Sequence, residues 1–434
     1  MDDKSSPRII PRSEHPLSRQ NIDSDALKVL YRLQNHGFMA FLVGGCVRDL
    51  LLDTVPKDFD IATDAHPQQV RDLFRNCRLI GRRFRLAHIY FRGGKFIEVS
   101  TFRRRSEFEE IGPEDHPPSE NTFGTPAEDA SRRDITINGL FYNMADFSII
   151  DYIGGLEDLQ QGIIRCIGDP EEKYVQDPVR MVRVVRHAAR TGFRIEEKTY
   201  EALMRHVEKI QWCSPARVRD EFLRELREGS AGSSMKLMIE TGMLFALFPS
   251  LRDPLGGAEK RDSFLKIISS LDQLNGGGKP PRDELGLSLF LLPAVEYYCP
   301  YDESPANRRG LASFQQKVRH WIMEVLGPLQ FTGYAKEGVI LLLGAQKAFH
   351  EFRPQQKLPW HLVEKPYFEA ARKVFEMGAR AQGEDIQTST WEIEEKKTWR
   401  GKGKRRGRFR KKIHRSGPNP GNITPKGSSE TSPS

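Results

Sequence analysis

The chain has 434 residues, of which 38% are hydrophobic and 29% are charged, and its formal net charge is +8. Because single hydrophobic cores stop growing near about 250–300 residues, this length favours roughly two to four domains and excludes a chain that is disordered throughout. No stretch approaches the roughly 20 consecutive apolar residues of a membrane span, and the N-terminus lacks the apolar core of a signal peptide. The sequence therefore predicts a cytoplasmic protein with no membrane span.

The five cysteines predict reduced thiols. They lie far apart and show no C-x-x-C spacing, so neither a disulfide framework nor a zinc site is indicated. The positive charge is concentrated in residues 396–434, which hold 13 of the 67 basic residues and one of the 59 acidic residues. The basic character of the chain is therefore a property of its C-terminal end.

The first ordered elements are expected just after a polar arm. Residues 1–20 are polar with scattered prolines and are interpreted as a strap or a loose arm. Apolar residues at helical spacing then predict a helix that begins at Asp23 or Ser24 and is closed by Gly37. The apolar run 38–43 predicts a buried strand that leads through a glycine pair into a helix over 46–52. Such a turn suits phosphate binding, because N–H groups and the helix dipole point at the anion.

A second strand presents two carboxylates. Alternation over 57–63 places Asp58 and Asp60 on the same face. Residues 78–91 and 95–102 are predicted to form a β-hairpin, whose second arm carries Glu98. Taken alone, D-x-D also fits a solvated strand end. Beside a phosphate-binding turn, clustered carboxylates suit Mg²⁺, and two such ions about 3.5–4 Å apart serve nucleotidyl transfer.

Charged residues recur beyond the hairpin. Residues 103–130 are predicted to be a long mobile loop near a site. The triplet Arg132-Arg133-Asp134 is expected at a helix N-terminus, where two arginines oppose the dipole and invite an anion. Asp177 is interpreted as an N-cap followed by Pro178 at the first helical position.

A further helix carries a stripe of arginines at positions three or four apart: Arg180, Arg183, Arg186 and Arg190. Two interpretations remain open for this stripe, namely a solvated basic face and a groove for phosphates or bases.

Strand signals alternate with helices up to residue 168 and fade after it. The sequence thus predicts an α+β head over 21–168, a helical neck over 169–255 and a helical body over 256–381. Residues 382–434 are expected to form a basic tail that is disordered by composition.

Three segments together resemble a known family. They are FLVGGCVRDLLLDTVPKDFDIAT, RRDITINGLFYN and QDPVRMVRVVRHAARTGFRI. They resemble successive motifs of the class II tRNA nucleotidyltransferase and poly(A) polymerase family, whose head is similar to that of DNA polymerase β. The resemblance covers about residues 20–250. It implies a polymerase β-like head with a mixed sheet, a neck with a nucleobase-reading site and an RNA-binding helical body.

The family pattern also implies a catalytic set. Asp58 and Asp60 are expected to bind two catalytic Mg²⁺ ions. Glu98 falls where poly(A) polymerases place a third carboxylate, which helps to deprotonate the RNA 3′-hydroxyl.

The resemblance further implies a nucleotide-binding set of eight residues: Gly44, Gly45, Arg48, Arg132, Arg133, Asp134, Asp177 and Arg180. The first three are expected to hold the triphosphate, and the arginine pair to contact phosphates. Asp134 is expected to bind the ribose 2′-hydroxyl. Asp177 and Arg180 are expected to read the base of ATP by hydrogen bonds, which discriminate strongly when a wrong base leaves buried groups unpaired.

Two positions depart from the family pattern. Gln176 stands where the motif usually has Glu, so the charge that would orient Arg180 is missing and base selectivity is expected to be looser. Asp53 replaces the usual Gly, which is expected to cost little because Asp tolerates the left-handed conformation.

Several features favour the polymerase branch of the family. LIGRRFRLAHI, NTFGT and IIPRSEHPLSRQ resemble that branch, although His88 within the first of them is given no role. The predicted function is template-independent addition of AMP from ATP to RNA 3′ ends with release of pyrophosphate. The alternatives are a tRNA CCA-adding enzyme and an RNA-binding protein with a degenerate head.

The C-terminal segment independently favours RNA. Positions 396–415 hold 12 basic residues, with Trp399 and Phe409 between them. Such a segment binds phosphate backbones by counterion release and stacks bases on its aromatic rings. The residues expected to contact RNA are Arg405, Arg406, Arg408, Phe409, Arg410 and Lys411. The expected partners are the 3′ ends of mRNA, regulatory RNA or decaying RNA. The alternatives for this segment are a solvated tail and a non-specific adhesive patch.

Overall fold

The computed structural model describes residues 6–81, 86–104, 123–275, 282–301 and 308–393. The strands are β1 (Arg8–Ile10), β2 (Ala40–Val43), β3 (Asp60–Thr63), β4 (Cys77–Ile80), β5 (Leu86–Tyr90), β6 (Phe96–Thr101), β7 (Leu140–Asn143), β8 (Ile149–Asp151), β9 (Ile163–Ile164), β10 (Arg194–Ile195), β11 (Lys357–Leu358) and β12 (Glu392–Ile393).

The helices of the N-terminal part and the neck are α1 (Ser24–Asn35), α2 (Gly45–Leu51), α3 (Pro67–Leu73), α4 (Pro126–Ser131), α5 (Gly155–Gln161), α6 (Pro170–Gln176), α7 (Val179–Thr191), α8 (Glu197–His206), α9 (Pro215–Arg227), α10 (Ala231–Glu240) and α11 (Met243–Leu247). Those of the body are α12 (Ala258–Asn275), α13 (Asp283–Tyr298), α14 (Arg308–Val325), α15 (Gly333–Gly344), α16 (Gln346–Phe352), α17 (Trp360–Val363) and α18 (Phe368–Ala381).

Eight strands form one mixed sheet within the described ranges, in the order β1-β8-β7-β2-β3-β6-β5-β4. Strands β3 and β6 are parallel, whereas the other neighbours in this sheet are antiparallel. Helices dominate the rest of the described residues, so the predicted α+β fold is confirmed. The parallel pair brings residues that are distant in the sequence to the same level of the sheet.

The N-terminal segment is a strap that extends the sheet. Strand β1 pairs with β8, so Ile10 lies opposite Ile149. Leu17 is buried, and the Nε2 atom of His15 lies 2.9 Å from the carbonyl oxygen of Phe147. Of the two alternatives for residues 1–20, the strap is the one that the described residues show.

Local signals set the first helix and turn as expected. The Asp23 carboxylate accepts hydrogen bonds from the N–H groups of Asp25 and Ala26, at 2.8 and 3.3 Å, and so caps α1. Gly37 follows that helix with a φ of 84°. Asp53 adopts a φ of 54°, the left-handed conformation that the sequence predicted for it.

Two predictions about the hairpin region need correction. The expected first arm, 78–91, contains two strands, β4 and β5, and only β5 pairs with β6 as the predicted hairpin. The expected loop 103–130 contains α4, which begins with a capping box formed by Thr125 and Glu128. Residues 82–85 and 105–122 lie outside the described ranges.

The C-terminal part of the described chain also differs from the prediction. Trp391 is buried, and β12 pairs with β11. Regular structure therefore continues past residue 382, where the tail was predicted to begin. The remaining tail, 394–434, with its six predicted RNA-binding residues, lies outside the described ranges.

Apolar packing is continuous from the sheet through the neck into the body. One cluster of buried side chains runs from Ile10 to Trp391. A smaller cluster on the sheet includes Phe41, Phe102 and Phe141. None of the helices in the described part of the chain has the length and apolar composition that a membrane crossing requires.

Candidate active site

A cleft of about 410 Å³ lies between the sheet and the neck helices. All but two of the predicted catalytic and nucleotide-binding residues line it, and the exceptions are Asp58 and Arg48. The lining comes mainly from the glycine turn with β3 and β6, from α4 and the segment after it, and from the neck helices α7 and α9. The fold thus brings together motifs that are far apart in the sequence.

Two carboxylates meet on one wall of this cleft. Asp60 on β3 is the register partner of Glu98 on β6, so their side chains lie next to each other on the same face of the sheet. Burial, followed by the charges of Glu98 and Asp58, raises the pKa of Asp60 to about 6, although Arg133 opposes the shift. Two carboxylates that lie this close to each other favour a bound cation or a proton, because their negative charges repel.

Asp58 lies at the exposed end of this arrangement, two residues before β3 begins. Among the described residues, no group of three or more histidine, cysteine, aspartate or glutamate side chains lies close enough together to hold a metal ion. Mg²⁺ is usually held by one or two carboxylates together with substrate phosphates and waters. Asp60 and Glu98 thus supply two adjacent carboxylates, the ligand type that Mg²⁺ uses, but not a complete set of protein ligands among the described residues.

The glycine turn is shaped by a nearby arginine. Gly44 adopts φ 78° and ψ −139°, a conformation that favours glycine. A Cβ atom there would lie only 3.1 Å from Nη1 of Arg133. The absence of a side chain therefore lets the guanidinium approach the turn that was predicted to hold phosphates.

Arg48 is buried close to the glycine turn. It is 1% exposed, and its guanidinium donates hydrogen bonds to the carboxylate of Asp49 and to the Oδ1 atom of Asn138, at 2.7 Å each. Burial lowers its pKa, while Asp49 opposes that shift. These contacts hold the guanidinium inside the protein, and Arg48 is not among the described residues that line the cleft, so its contact with the triphosphate stays a prediction.

The arginine pair follows a helix rather than starting one. Arg132 is the residue at the C-terminal cap of α4, where positive charge is favourable, so the predicted N-terminal position is wrong. The buried Asp129 holds both side chains: its carboxylate lies 3.2 Å from Nε of Arg132 and 2.8 Å from Nη2 of Arg133. Both guanidinium groups line the cleft.

Asp134 is held ionised inside the cleft wall. Its Oδ2 atom accepts a hydrogen bond of 2.7 Å from Nε of Arg183, and its Oδ1 atom accepts one of 3.0 Å from the N–H of Ile135. Although burial raises the pKa of Asp134, Arg183 and the other nearby cations outweigh it and hold this pKa well below its usual range. A buried carboxylate at this point is suited to accept a hydrogen bond from a hydroxyl group.

The predicted base-reading pair is held by other parts of the chain. Arg180 donates to the carbonyl oxygens of Arg133 and Arg132, at 2.9 and 3.1 Å. The carboxylate of Asp177 lies 2.9 Å from Nη2 of Arg217 on α9, and it does not cap α7 by a side-chain hydrogen bond, contrary to the prediction.

The remaining arginines of the α7 stripe are ion-paired within the protein. Arg183 and Arg186 pair with Glu221, and Arg190 lies 2.7 Å from Asp49. Neither open interpretation describes these three side chains completely, because Arg183 and Arg190 join the neck to the head and Arg186 joins α7 to other parts of the neck. Of the stripe, Arg180 and Arg183 line the cleft.

Comparisons with known proteins agree with this geometry. Residues 40–165 match the family model of the poly A polymerase head domain, and residues 192–254 match the model described as the probable RNA and SrmB-binding site of polymerase A. Poly(A) polymerase I of Salmonella typhi is 40% identical over 392 residues, which cover 86% of this chain and 82% of that relative. This chain belongs to the poly(A) polymerase family. It is therefore a nucleotidyltransferase, and its family also has an RNA-binding region.

Other relatives of this poly(A) polymerase family member extend the comparison. Poly(A) polymerase I of Haemophilus influenzae is 33% identical over 403 residues, covering 88% of this chain and 86% of the relative. The CCA-adding enzyme of Lactobacillus helveticus is 39% identical over 199 residues, covering 46% of this chain and 49% of that enzyme. The crystal structure of the Bacillus stearothermophilus CCA-adding enzyme with CTP shares the fold, with a TM-score of 0.59 at 23% identity over 84% of this chain and 79% of that one.

Sequence reasoning missed two residues that contact side chains of the cleft, His88 and Asp129. His88 was given no role, yet its Nε2 atom lies 3.2 Å from Oε2 of Glu98, and its ring stacks on Phe96 with centroids 4.3 Å apart. The contact could have been predicted from the register of the β5–β6 hairpin, in which His88 lies opposite Glu98. Asp129 was missed inside the predicted loop, although the Thr125 and Glu128 spacing of a capping box marks the helix that carries it.

Proposed function

We propose that this protein adds AMP from ATP to RNA 3′ ends without a template and releases pyrophosphate. The observation that carries the proposal is the adjacency of Asp60 and Glu98 on one wall of a cleft that also contains Arg132, Arg133 and Asp134. Carboxylates that face arginines across a cleft provide separate positions for a cation and for phosphates. The high identity to enzymes named poly(A) polymerase I supports this reaction over others of the superfamily.

The phosphates of ATP are proposed to lie along the glycine turn. Arg132 and Arg133 line the cleft, and Asp129 fixes both guanidinium groups. Arg133 also lies against Gly44. Positioned cations of this kind stabilise the charge that develops on the leaving pyrophosphate. In this proposal Asp134 accepts a hydrogen bond from the ribose 2′-hydroxyl and thereby selects ribonucleotides.

Asp58 and Asp60 are the proposed magnesium ligands. Bound Mg²⁺ would supply Lewis-acid chemistry that favours a nucleophilic hydroxyl and neutralises the phosphates. Glu98 lies next to Asp60 and is proposed to take the proton of the RNA 3′-hydroxyl. His88, at 3.2 Å, holds the carboxylate of Glu98 in position.

The adenine base is proposed to bind between Asp177 and Arg180. Asp177 accepts a hydrogen bond from the exocyclic amino group, and Arg180 donates one to a ring nitrogen. Gln176 has no charge that could orient Arg180. Two main-chain carbonyl oxygens hold Arg180 instead, and the guanidinium of Arg217 lies beside Asp177. Positioned hydrogen bonds discriminate between bases when a mismatch leaves a buried group unpaired.

A CCA-adding reaction is the second candidate, because CCA-adding enzymes are similar to this chain in sequence over about half of its length. The deciding experiment incubates the purified chain and Mg²⁺ with labelled ATP or CTP and with either oligo(A) or tRNA that lacks its terminus. We expect long AMP tracts on both RNAs and little CTP incorporation. Addition of two CMP residues and one AMP, restricted to tRNA, would contradict the proposal.

Paired variants separate catalysis from RNA binding. Asp58→Ala with Asp60→Ala should abolish AMP incorporation and leave the affinity for oligo(A) nearly unchanged. An RNA-binding protein with a degenerate head would instead show no incorporation before any substitution. Deletion of residues 396–434, which contain Arg405, Arg406, Arg408, Phe409, Arg410 and Lys411, should lower RNA affinity and flatten its salt dependence.

A further inference from the structure

A second cavity, of about 330 Å³, lies in the helical body. It is enclosed by α12, α13, α16 and α18 together with the segment that follows α18. None of its lining residues belongs to the cleft between head and neck. Its volume falls at the lower end of the range for small-molecule sites, about 300–1,000 Å³.

The cavity wall contains an acceptor that lacks a hydrogen-bond partner. Gln346 is 0% exposed, and its Nε2 atom donates to the carbonyl oxygens of Leu342 and Ala371, at 2.8 and 3.1 Å. These two bonds fix the orientation of the amide, because only its nitrogen can donate. The Oε1 atom is buried, and within the described part of the chain no donor reaches it. Buried acceptors are normally paired, so this oxygen points to a missing donor.

A second acceptor reinforces the first. One oxygen of Glu384 pairs with Nη2 of Arg353 at 2.8 Å, whereas its Oε2 atom is buried without a partner among the described residues. Glu296 adds a third acceptor group to the wall, and its Oε1 atom lies 3.7 Å from Nε2 of His350. The site therefore offers oxygen atoms to a ligand that carries N–H groups.

Aromatic rings and cationic side chains form another part of the cavity lining. Phe375 forms part of the wall, and Tyr297 is about half exposed beside the opening. The Lys260 ammonium lies over the Tyr297 ring, 5.7 Å from its centroid. Arg353 is paired with Glu384, so Lys260 is the cation of the lining that is placed to meet an anionic group. A ligand that fits all of these features combines an N–H donor, an aromatic plane and a phosphate.

We propose that this cavity binds a nucleotide whose base carries an exocyclic amino group. The amino group donates to Gln346 Oε1, the base packs beside Phe375, and the phosphate lies near Lys260. The nucleotide comes either from solution or from an RNA strand bound along the body. The inference is independent of the reaction proposed for the cleft, because it concerns equilibrium binding at a separate place.

The test uses the full chain and 8-azido-AMP as a photoreactive probe, with labelled peptides identified by mass spectrometry. We expect labelling of the α13 or α18 peptides that contain Tyr297 or Phe375. Unlabelled AMP should compete at least tenfold better than IMP, which lacks the amino group. Labelling confined to the head and neck peptides, or equal competition by AMP and IMP, would overturn the proposal.

Variants and RNA competitors sharpen the test. Lys260→Ala should reduce labelling of the body peptides several-fold, whereas Lys266→Ala, an exposed lysine on the same helix that does not line this cavity, should leave it unchanged. Gln346→Met removes the unpaired oxygen and should abolish the preference for AMP over IMP, with folding checked by thermal denaturation. Equal loss in both lysine variants, or a preserved preference in Gln346→Met, contradicts the assignment.

Two competitors identify the source of the nucleotide. Competition by oligo(A) that exceeds competition by AMP assigns the site to RNA, and competition by AMP alone assigns it to a free nucleotide. Oligo(U) has no amino group on its bases, so oligo(U) that competes as well as oligo(A) overturns the proposed recognition.

Discussion

The cleft between head and neck is held together by buried charges, whereas the helical body is held together by apolar packing. Asp134, Arg183 and Glu221 form a chain of ion pairs between the two parts of the cleft wall. In the body, α13 buries apolar side chains on all of its faces, and its Phe290 packs on Phe222 and Phe248 of the neck, with 5.0 Å between ring centroids in each pair.

Apolar packing in the body stabilises the folded state, whereas the ion pairs of the cleft mainly position side chains. Buried apolar area lowers the free energy of the folded state by about 25 cal/mol per Å². Buried ion pairs contribute little net stability, because desolvation offsets their attraction, but a broken pair is costly. We therefore expect substitutions in the body to change mainly stability and substitutions in the cleft to change mainly activity.

The largest expected effect on stability is in the body. Phe290→Ala removes a fully buried ring that packs on three other phenylalanines, and it should lower the free energy of unfolding by about 3–5 kcal/mol. Denaturation in urea measures this change. Tyr334→Ala, at a side chain that is 73% exposed, is the control and should change stability by less than about 0.5 kcal/mol. Similar losses in the two variants would contradict the packing argument.

Glu225 tests the cost of an unpaired charge in the neck. Burial raises its pKa to about 8, so the folded state holds a proton that the unfolded state releases near pH 4.5. Stability should therefore fall as the pH rises from about 4.5 through 8. Glu225→Gln stays neutral and should be more stable than the unsubstituted protein by on the order of 4 kcal/mol at pH 9, with no such gain at pH 4.

Thermal or chemical denaturation at several pH values measures this difference. The exposed Glu240→Gln serves as the matched control and should show no pH-dependent gain. A gain for Glu225→Gln that is the same at pH 4 and pH 9 would show that the carboxyl is not protonated in the folded protein.

The pH dependence of metal binding tests whether Asp60 in the cleft is a metal ligand. The pKa of Asp60 is raised to about 6, so a proton competes with the cation below that pH. Affinity for Mn²⁺, followed by electron paramagnetic resonance, should be about tenfold weaker at pH 5 than at pH 7.5. An affinity that does not change over this range would argue against Asp60 as a ligand.

The smallest effect is expected at a loop residue outside both regions. Asp53 has a φ of 54°, which aspartate tolerates. Asp53→Gly should change the free energy of unfolding by less than about 0.5 kcal/mol, whereas Asp53→Val should cost about 1–2 kcal/mol. Equal values for the two variants would show that the left-handed conformation does not limit this position.

The residues that the sequence predicted correctly are those whose roles are local or follow strand alternation. Asp23 caps its helix, Gly44 makes the turn, and Asp60 faces the cleft. Glu98 was expected on a strand adjacent to that of Asp60, but no local pattern gives the parallel register that makes these two residues direct neighbours, because they are 38 positions apart.

The missed roles depend on long-range packing. The sequence did not show that Arg48 donates a hydrogen bond to Asn138, which is 90 residues away. Arg217 could not be assigned to Asp177, because no local pattern shows that α9 packs beside the start of α7. The arginine stripe of α7 looked like a surface feature, since its acidic partners lie on other helices and in the head.

Metal-dependent rescue tests the central claim most directly. Asp60→Cys replaces the proposed carboxylate ligand with a thiol, which favours softer cations than Mg²⁺. We predict that AMP incorporation with Mg²⁺ falls at least about 10³-fold and is partly recovered with Mn²⁺ or Cd²⁺, whereas Asp60→Ala shows no recovery. Full activity of Asp60→Cys with Mg²⁺, or a folded variant that neither softer cation reactivates, would contradict the assignment of Asp60 as a catalytic metal ligand.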